Sequence, residues 1–173
     1  MGAAIDYYTY EDYKKWDGDW ELVDGQPVAM APSPMIKHQK IANLIAFELT
    51  KSIKECKRCF VVFETDYVVD ECTVLRPDIA LLCDEESDYI TKPPKLIIEI
   101  VSPSSAKMDE KIKYLIYAEE KVPYYILVYP DFKKAQIFKL VDQAYEKIGN
   151  FTNEIFEIKI EGCKASIDFS EVF

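Results

Sequence analysis

The stretch KLIIEIVSPSS, residues 95–105, places a single glutamate, Glu99, inside an otherwise apolar run that is rich in isoleucine and valine. A short β-branched run bounded by prolines is typical of a strand that is buried on both faces of a sheet. A carboxylate buried there without a partner is costly, because it loses its hydration. The sequence therefore predicts a buried strand over residues 95–101 and a group that compensates the charge of Glu99.

The segments on both sides of this strand predict a mixed sheet. Residues 102–121 begin with serine and proline and continue with apolar residues at helical spacing, and residues 122–129 are again rich in strand-forming side chains. A strand, a helix and a second strand in this order favour a parallel pair. Upstream, residues 59–70 and 73–84 are rich in β-branched and aromatic side chains, which predicts two strands that are neighbours in the sheet.

The two ends of the chain add smaller elements. Thr9 is the predicted N-cap of a short helix over residues 8–16. An Asp-Gly turn signal predicts a hairpin over residues 20–30. Apolar residues at three- and four-residue steps predict an amphipathic helix over residues 35–54. Three further runs are predicted as the strands of a meander: 134–141, 144–149 and 155–160.

The balance of charges limits the classes of partner. The chain has 31 acidic and 21 basic residues, a formal net charge of −10, which opposes loose, charge-driven binding to nucleic acid. Locally concentrated bases, or metal ions that bridge carboxylates to phosphates, would overcome this. No apolar run approaches the roughly 18 residues that a membrane-spanning helix needs, and residues 1–15 lack the order of a signal peptide. We expect a soluble, cytoplasmic protein with no membrane partner.

The five cysteines are an odd number at irregular spacing, which argues against a disulfide framework and predicts reduced thiols. Cys56 and Cys59 have the two-residue gap of half a zinc site. No other close cysteine pair completes that site in the sequence, and the only histidine, His38, lies eighteen residues upstream. Ordinary cysteines at a helix end are therefore favoured over zinc.

Three ionisable residues have no simple packing explanation. Asp78 begins an apolar strand, Glu99 lies on the next strand, and Lys113 lies on the helix after it. Two carboxylates that converge repel each other, which favours a shared proton or a bound cation. Mg²⁺ is held by one or two carboxylates and leaves positions for phosphate oxygens, and a nearby lysine would orient or deprotonate water, or offset charge on phosphate. An Asp, a Glu and a Lys together are typical of phosphodiester hydrolysis.

Each candidate also has an interpretation without chemistry. Asp109, Lys113 and Tyr117 are four residues apart and so share one face of the predicted helix, but a surface ion pair beside a partly exposed tyrosine would give the same pattern. Asp78 would equally suit a turn at the start of a strand. Glu99 would equally form a buried ion pair with a lysine or an arginine. The sequence leaves these alternatives open.

Several short motifs follow one another along the chain: WELVDGQPVAMAPSP with HQKI (20–41), RPDIA (76–80), IIEIVSPSS (97–105), DEKIKYLIY (109–117) and VPYYILV (122–128). Their order and spacing resemble the Uma family of bacterial restriction endonucleases, long classed as a domain of unknown function within the PD-(D/E)XK nuclease-like superfamily. The resemblance extends over nearly the whole chain. It implies an α/β (α+β) fold, with one restriction endonuclease-like domain over residues 1–173 and a central mixed β-sheet flanked by helices.

The resemblance also implies a catalytic and metal-binding site. Asp78 matches the aspartate of the PD motif, and Glu99 matches the acidic residue of the (D/E)XK motif, so both are expected to hold Mg²⁺ or Mn²⁺. Two residues after Glu99 the chain has Val101 in place of the usual strand lysine. Lys113 matches the helix position that takes the role of this lysine in the family, and is therefore the third expected catalytic residue.

Three further residues are expected to contribute to substrate binding. His38 and Glu21 match recurrent family positions, His38 lining the site and Glu21 pairing within it, and Tyr117 would assist His38 in substrate placement. A lone histidine near a helix start is, however, more often structural. Lys121 departs from the family, which often has glycine before VP, and this predicts a helix C-terminus that is built differently.

The leading hypothesis is a Mg²⁺-dependent endonuclease that hydrolyses phosphodiester bonds in DNA. The alternative is a catalytically inactive interaction module with the nuclease fold, bound to a protein partner in a defence or mobile-element complex; the acidic composition and the missing strand lysine favour it. An enzyme acting on a small molecule has no supporting motif. Endonucleases that cut both strands often act as homodimers, and the aromatic segment 7–16 would either form such an interface or pack on the sheet.

Overall fold

The computed structural model describes residues 6–31, 35–160 and 162–173. Two predictions extend outside the described residues. The segment that lacks the order of a signal peptide includes residues 1–5, and the first motif includes residues 32–34. The α-helices in the described ranges are α1 (Tyr10–Tyr13), α2 (Ile36–Ser52) and α3 (Tyr114–Glu119). A π-helical turn lies at Met108–Lys113, and short 3₁₀ helices lie at Pro130–Phe132 and Phe169–Glu171. None of the described helices is long and apolar enough to cross a membrane.

The strands fall into two sheets and a separate hairpin. They are β1 (Trp20–Val23), β2 (Gln26–Ala29), β3 (Cys59–Phe63), β4 (Tyr67–Asp70), β5 (Thr73–Leu75), β6 (Ile79–Cys83), β7 (Leu96–Ile100), β8 (Tyr124–Tyr129), β9 (Lys134–Val141), β10 (Ala144–Phe151), β11 (Ile155–Ile160) and β12 (Cys163–Asp168). The central sheet has the order β10, β9, β8, β7, β6, β3, and the second sheet has the order β2, β1, β5, β4. Strands β11 and β12 pair only with each other among the described residues.

Strand β7, which carries Glu99, lies inside the central sheet. It pairs in parallel with β8, and the other neighbouring pairs of this sheet are antiparallel. The chain connects β7 to β8 through the π-helical turn and α3, as a parallel pair requires. The predicted central mixed sheet and its parallel crossover are therefore confirmed.

Both faces of the central sheet are covered, because its inner strands direct apolar side chains alternately to either side. On one face, Ile98 packs in a core with Leu49 of α2 and with the β11–β12 hairpin. On the other face, Ile97 packs in a core with Tyr117 of α3. Glu99 has the same parity along β7 as Ile97, so its side chain lies on the α3 face.

Two of the predicted strands each divide into two. Residues 59–70 form β3 and β4, and residues 73–84 form β5 and β6, because the chain passes between the two sheets inside each segment. Glu64 has a φ of 42° at the first crossing, and Pro77, which has no N–H for a strand ladder, lies at the second. The prediction of two continuous strands is wrong at these points, although β3 and β6 are neighbours as expected.

The predicted helix over residues 102–121 is not one regular α-helix. Met108–Lys113 forms the π-helical turn, and α-helical geometry resumes in α3. A π-helical turn widens the helix locally and is frequent at functional sites. The spacing of apolar residues does not indicate it, because six residues are too few to change the helical periodicity visibly.

Helix α3 ends in a Schellman motif, which places one residue in the left-handed conformation. The N–H of Val122 donates to the carbonyl of Tyr117 (3.0 Å), and the N–H of Lys121 donates to the carbonyl of Ala118 (3.1 Å). Lys121 has a φ of 61°, a conformation that favours glycine. The helix therefore ends as it would with glycine at this position, and the expectation of a different terminus is wrong.

We expect Lys121→Gly to raise the free energy of unfolding by about 1 kcal/mol. Glycine adopts the left-handed conformation without the steric cost that the Cβ of the exposed lysine incurs. This gain in free energy exceeds the cost of the conformational entropy that glycine adds to the unfolded chain. Lys121→Ala is the matched control, because alanine keeps the Cβ and is expected to give no gain. Urea unfolding measures the difference, and equal stabilisation by both substitutions would contradict the role of φ.

The aromatic segment 7–16 packs on the second sheet. Tyr13 of α1 is buried with Leu22 and Val74, and Trp16 packs against this cluster. Tyr13 and Trp16 of this segment therefore pack on the sheet, and a homodimer interface formed by its other residues stays a prediction. The helix itself spans a single turn, which is shorter than predicted.

Four of the five cysteines pair across the structure. Cys56 is joined to Cys163 and Cys59 to Cys83, and Cys72 is free. The expectation of unpaired thiols is thus contradicted, because residues separated by 107 and 24 positions in the sequence are neighbours in the fold.

Candidate active site

The register between β6 and β7 brings the two predicted carboxylates together. Ile79 pairs with Ile98 across this antiparallel ladder, so the next position outward places Asp78 opposite Glu99. The N–H of Asp78 donates to Oε2 of Glu99 (3.2 Å), and Oδ2 of Asp78 accepts from the N–H of Ile100 (2.7 Å). Each acid therefore fixes the strand end that carries the other.

Glu99 is compensated by a cation and a hydroxyl. Its side chain is buried, and Oε1 accepts from Nζ of Lys113 and from the hydroxyl of Tyr117, both at 3.1 Å. Burial raises the pKa of Glu99 well above its usual value; Lys113 opposes this effect, and the surrounding carboxylates reinforce it. A second cation close to Glu99 would favour its ionised form.

Lys113 lies at the centre of three carboxylates. Its Nζ is 2.8 Å from Oε1 of Glu21, 3.1 Å from Oε1 of Glu99 and 3.8 Å from Oδ1 of Asp109, and these four side chains are at most 5% exposed. Burial alone lowers the pKa of Lys113, but the three carboxylates outweigh it and hold the pKa well above its usual value. Lys113 is therefore an ammonium at neutral pH, suited to stabilising negative charge and not to removing a proton.

The carboxylates outnumber the cation that they surround. Asp78 adds a fourth acid beside Glu21, Glu99 and Asp109. Burial raises the pKa of Asp109 to about 6, although Lys113 opposes this shift. Repulsion among ionised carboxylates favours either retained protons or an additional bound cation. The cluster is thus suited to exchanging a proton for a metal ion.

His38 contacts Asp78 from α2. Its Nε2 is 3.2 Å from Oδ2 of Asp78, and because a carboxylate oxygen is an acceptor, we assign the hydrogen to Nε2. Burial lowers the pKa of His38, but Asp78, with Glu64 and Asp109, raises it above its usual value. Nδ1 is buried and has no hydrogen-bond partner among the described residues. Within the described ranges, His38 therefore contacts the site through Nε2 alone.

A cavity of about 460 Å³ opens in front of Asp78 and Glu99. Besides His38, its ionisable lining has five acids and two cations: Glu21, Glu64, Asp78, Glu99, Asp109, Arg76 and Lys113. Serines of the loop after β7 and apolar side chains of β2 complete the wall. Because the acids are in excess, an added cation would favour the entry of an anionic group such as phosphate.

The family model Uma2, described as "Putative restriction endonuclease", matches residues 6–158. The chain belongs to this family. Its fold is similar to that of a solved structure from Anabaena variabilis ATCC 29413, described as "a putative nuclease belonging to DUF820", with a TM-score of 0.77 and 16% sequence identity over 95% of this chain and 97% of that one. At this identity the likeness shows the fold alone. No curated protein matches the chain.

The family and the fold class predicted from the motifs are thus confirmed. A nuclease-like function is supported at the same coarse level by the description of the Uma2 family. The single-domain boundary, the oligomeric state, the protein partner and the cellular location stay predictions.

In the Uma2 fold, all of the predicted site residues except Tyr117 line the cavity. Asp78, Glu99, Lys113 and His38 all line it, and Glu21 lines it while pairing with Lys113. Tyr117 is fully buried and lies outside the lining. Its hydroxyl holds the Glu99 carboxylate instead of reaching a substrate, so the expected role of this residue in substrate placement finds no support in the geometry.

Two contributors to the site are absent from the predicted set. Asp109 was visible only as a member of the same helix face as Lys113, and its four-residue spacing was the available signal. Arg76 donates its backbone N–H to Oε1 of Glu21 (2.8 Å), and its guanidinium pairs with Asp19 and Asp66. Arg76 thereby ties β5 to β1 and holds Glu21 in place, a role that its position in the RPD motif does not reveal.

The residues at the cavity fit Mg²⁺ or Mn²⁺. These ions prefer oxygen ligands, and Mg²⁺ typically keeps several waters and takes one or two carboxylates from the protein. In the described part of the chain, the carboxylates do not form a group of three or more whose ligand atoms are all close together. Asp78 and Glu99, which face the cavity from adjacent strand ends, are the two carboxylates that would hold such an ion, with most of its water retained.

Proposed function

We propose that this Uma2 protein is a metal-dependent nuclease that hydrolyses phosphodiester bonds in DNA. One observation carries the proposal: Asp78 and Glu99 face one cavity from adjacent strand ends, and the ammonium of Lys113 is 3.1 Å from Glu99. The description of the family supports a nuclease. These three residues are of the types that phosphodiester hydrolysis uses.

In this proposal, Asp78 and Glu99 hold Mg²⁺ or Mn²⁺. When bound, the ion supplies Lewis acidity toward a phosphoryl oxygen and toward water. The protein contributes fixed ligands: the N–H of Ile100 holds Asp78, and Lys113 with Tyr117 holds Glu99. Ligands held by hydrogen bonds need little rearrangement when a substrate arrives.

Lys113 stabilises the negative charge that develops on the phosphate group. It reaches Glu99 from the π-helical turn, and so replaces a lysine two residues after Glu99, where the chain has Val101. His38 lines the same cavity and contacts Asp78 through Nε2. When His38 is protonated, it adds a positive charge beside the carboxylates.

Purified protein is expected to nick supercoiled plasmid DNA with Mn²⁺ or Mg²⁺ and to stop when a chelator is added. We expect Asp78→Asn to lower the cleavage rate by about 100-fold, because an amide oxygen is a weaker ligand than a carboxylate. Asp88→Asn is the matched control, since Asp88 is exposed and is expected to keep full activity. Gel electrophoresis of the plasmid forms measures the rate.

The competing function is an inactive module that binds a protein partner, which the net charge of −10 favours over DNA binding. A folded wild-type protein that neither binds Mn²⁺ nor cleaves DNA would contradict the nuclease proposal and favour this module. Cleavage of RNA alone would overturn the choice of DNA. Equal cleavage by wild type and Asp78→Asn would assign the activity to a contaminant.

A further inference from the structure

Four cysteines from separate parts of the chain converge at one place. Cys59 begins β3 and Cys83 ends β6, and the two are paired in the ladder of these strands. Cys56 lies after α2, and Cys163 begins β12. Because Asp78 precedes the first residue of β6 and Cys83 is its last, this cysteine cluster lies at the other end of the strand from the candidate active site.

The sulfur atoms form one cluster and not two separate pairs. Sγ atoms of Cys56, Cys59 and Cys163 all lie within 4.8 Å of one another, and Sγ of Cys83 is joined to that of Cys59. In a tetrahedral site with Zn–S distances of about 2.3 Å, the sulfurs are about 3.8 Å apart. Three of these thiols, Cys56, Cys59 and Cys163, are therefore close enough to share one ion, and Cys83, which is bonded to Cys59, completes the set of four after a shift of its side chain.

The backbone between the first two cysteines has a turn that suits a zinc site. Cys56 and Cys59 are separated by two residues, the spacing typical of structural zinc sites. The N–H of Cys59 donates to the carbonyl of Cys56 (3.1 Å), which closes a tight turn between them. The other two ligands of the site are single cysteines on two different strands, Cys83 and Cys163. No spacing in the sequence marks these two as a pair.

Burial and charge around the cluster also suit a metal ion bound by thiolates. Three of the four cysteines are each 8% exposed, so an ion among them would be shielded from water. Zn²⁺ with four thiolates carries a net double negative charge, which basic neighbours reduce. The bases adjacent to the cysteines in the chain are Lys57, Arg58 and Lys164, of which Arg58 pairs with Asp84 and Lys164 with Glu157.

We propose that these four cysteines, as thiols, bind one Zn²⁺ in a structural site that ties the β11–β12 hairpin to the central sheet. Four protein ligands leave no open position, which is typical of a structural and not a catalytic zinc site. Each of the two disulfides is first reduced to two thiols, either by two thiol molecules, which become a disulfide, or by a phosphine and one water molecule, which become the phosphine oxide. Binding of Zn²⁺ to the thiols then releases protons as thiolates form.

The test uses Co²⁺ as a spectroscopic probe of the full-length protein after reduction with a phosphine. Wild type is expected to develop the visible and charge-transfer absorption of a tetrahedral cobalt thiolate at one equivalent of Co²⁺, and Zn²⁺ is expected to displace it. We expect Cys59→Ser and Cys163→Ser to lower the affinity for Co²⁺ by about 100-fold or more. Cys72→Ser is the matched control and is expected to behave as wild type, because Cys72 is the cysteine outside the cluster.

Two controls separate this site from the candidate active site and from unfolding. Glu99→Gln is expected to retain the cobalt spectrum, so the zinc proposal stands or fails independently of the nuclease proposal. Circular dichroism of each sample reports whether it is folded. If a serine variant does not fold, the intensity of the cobalt charge-transfer absorption of the wild type gives the number of thiolate ligands. A folded, fully reduced wild-type protein without cobalt-thiolate absorption would overturn the proposal, as would an unchanged spectrum in Cys163→Ser.

Discussion

Glu99→Gln is expected to remove Mn²⁺ binding and DNA cleavage while the protein stays folded. The amide oxygen retains the hydrogen bonds that Oε1 accepts from Lys113 and Tyr117. The amide nitrogen then takes the place of Oε2, where it neither accepts the N–H of Asp78 nor binds a cation. We expect the affinity for Mn²⁺ to fall by about 100-fold or more and the cleavage rate by about 1,000-fold.

The fold is expected to survive this substitution because two effects oppose each other. The amide group facing the N–H of Asp78 costs about 1–3 kcal/mol. Removing one negative charge from a cluster with excess carboxylates stabilises the protein in the opposite direction. Thermal unfolding is therefore expected to remain cooperative, with a modest shift in Tm.

Calorimetric titration with Mn²⁺ measures the expected loss of metal affinity, and plasmid nicking measures the expected loss of DNA cleavage. Glu146→Gln is the matched control, since Glu146 is exposed on β10 and is expected to change neither. A folded Glu99→Gln variant that binds Mn²⁺ as tightly as wild type would show that Glu99 is not a metal ligand.

Lys113→Met is expected to cost about 3–5 kcal/mol of stability at neutral pH, the range for breaking a buried ion pair by removing one partner. The ammonium of Lys113 lies within 3.8 Å of oxygens from Glu21, Glu99 and Asp109. Methionine fills a similar volume but leaves these carboxylates without their cation. In the proposed nuclease, cleavage is expected to be abolished as well, because the cation proposed to offset charge on the phosphate group is lost.

The loss of stability is expected to depend on pH in a definite direction. Burial already raises the pKa of Asp109 to about 6 with Lys113 present, and removing the ammonium raises the pKa values of Asp109 and Glu99 further, because Lys113 lowers both. A carboxyl with a raised pKa binds a proton in the folded protein at a pH where the unfolded chain has released it. Stability of the variant therefore falls as the pH rises through this window, and the deficit relative to wild type shrinks in acid.

Urea unfolding in the presence of a chelator, at about pH 5 and about pH 8, measures this dependence. Lys139→Met is the matched control, because Lys139 is exposed on β9 and is expected to change stability by no more than about 0.5 kcal/mol. A Lys113→Met deficit that is the same at both pH values would contradict the assignment of Lys113 as the counter-ion of the buried acids.

Much of the fold could be predicted because it depends on neighbouring residues. The apolar run around Glu99 predicts β7, the Asp-Gly turn predicts the β1–β2 hairpin, and helical spacing predicts α2; all three are present. The breaks inside residues 59–70 and 73–84 could not be predicted in this way. Both halves of each segment are rich in strand-forming residues, and what divides them is a change of sheet.

The residues of the candidate site likewise differ in whether a local sequence signal marks them. Asp78 and Glu99 could be chosen because a motif and an isolated charge mark them in the sequence. Asp109, Arg76 and the inner position of Tyr117 could not be chosen, because nothing local distinguishes an acid that faces a buried lysine from one that faces water.

The sequence by itself determined that Glu99 needs a compensating charge, since a carboxylate in an apolar strand has no hydration. Only the tertiary structure decided which group provides it. A four-residue spacing fixes the helix face of Lys113 but not the surface on which that face packs. The packing of the π-helical turn against β7 and β1 brings the lysine to Glu99 and Glu21. In the same way, the β3–β6 pairing brings Cys83 to Cys59, and the packing of the β11–β12 hairpin brings Cys163 to Cys56. Proximity between distant segments follows from how whole elements pack.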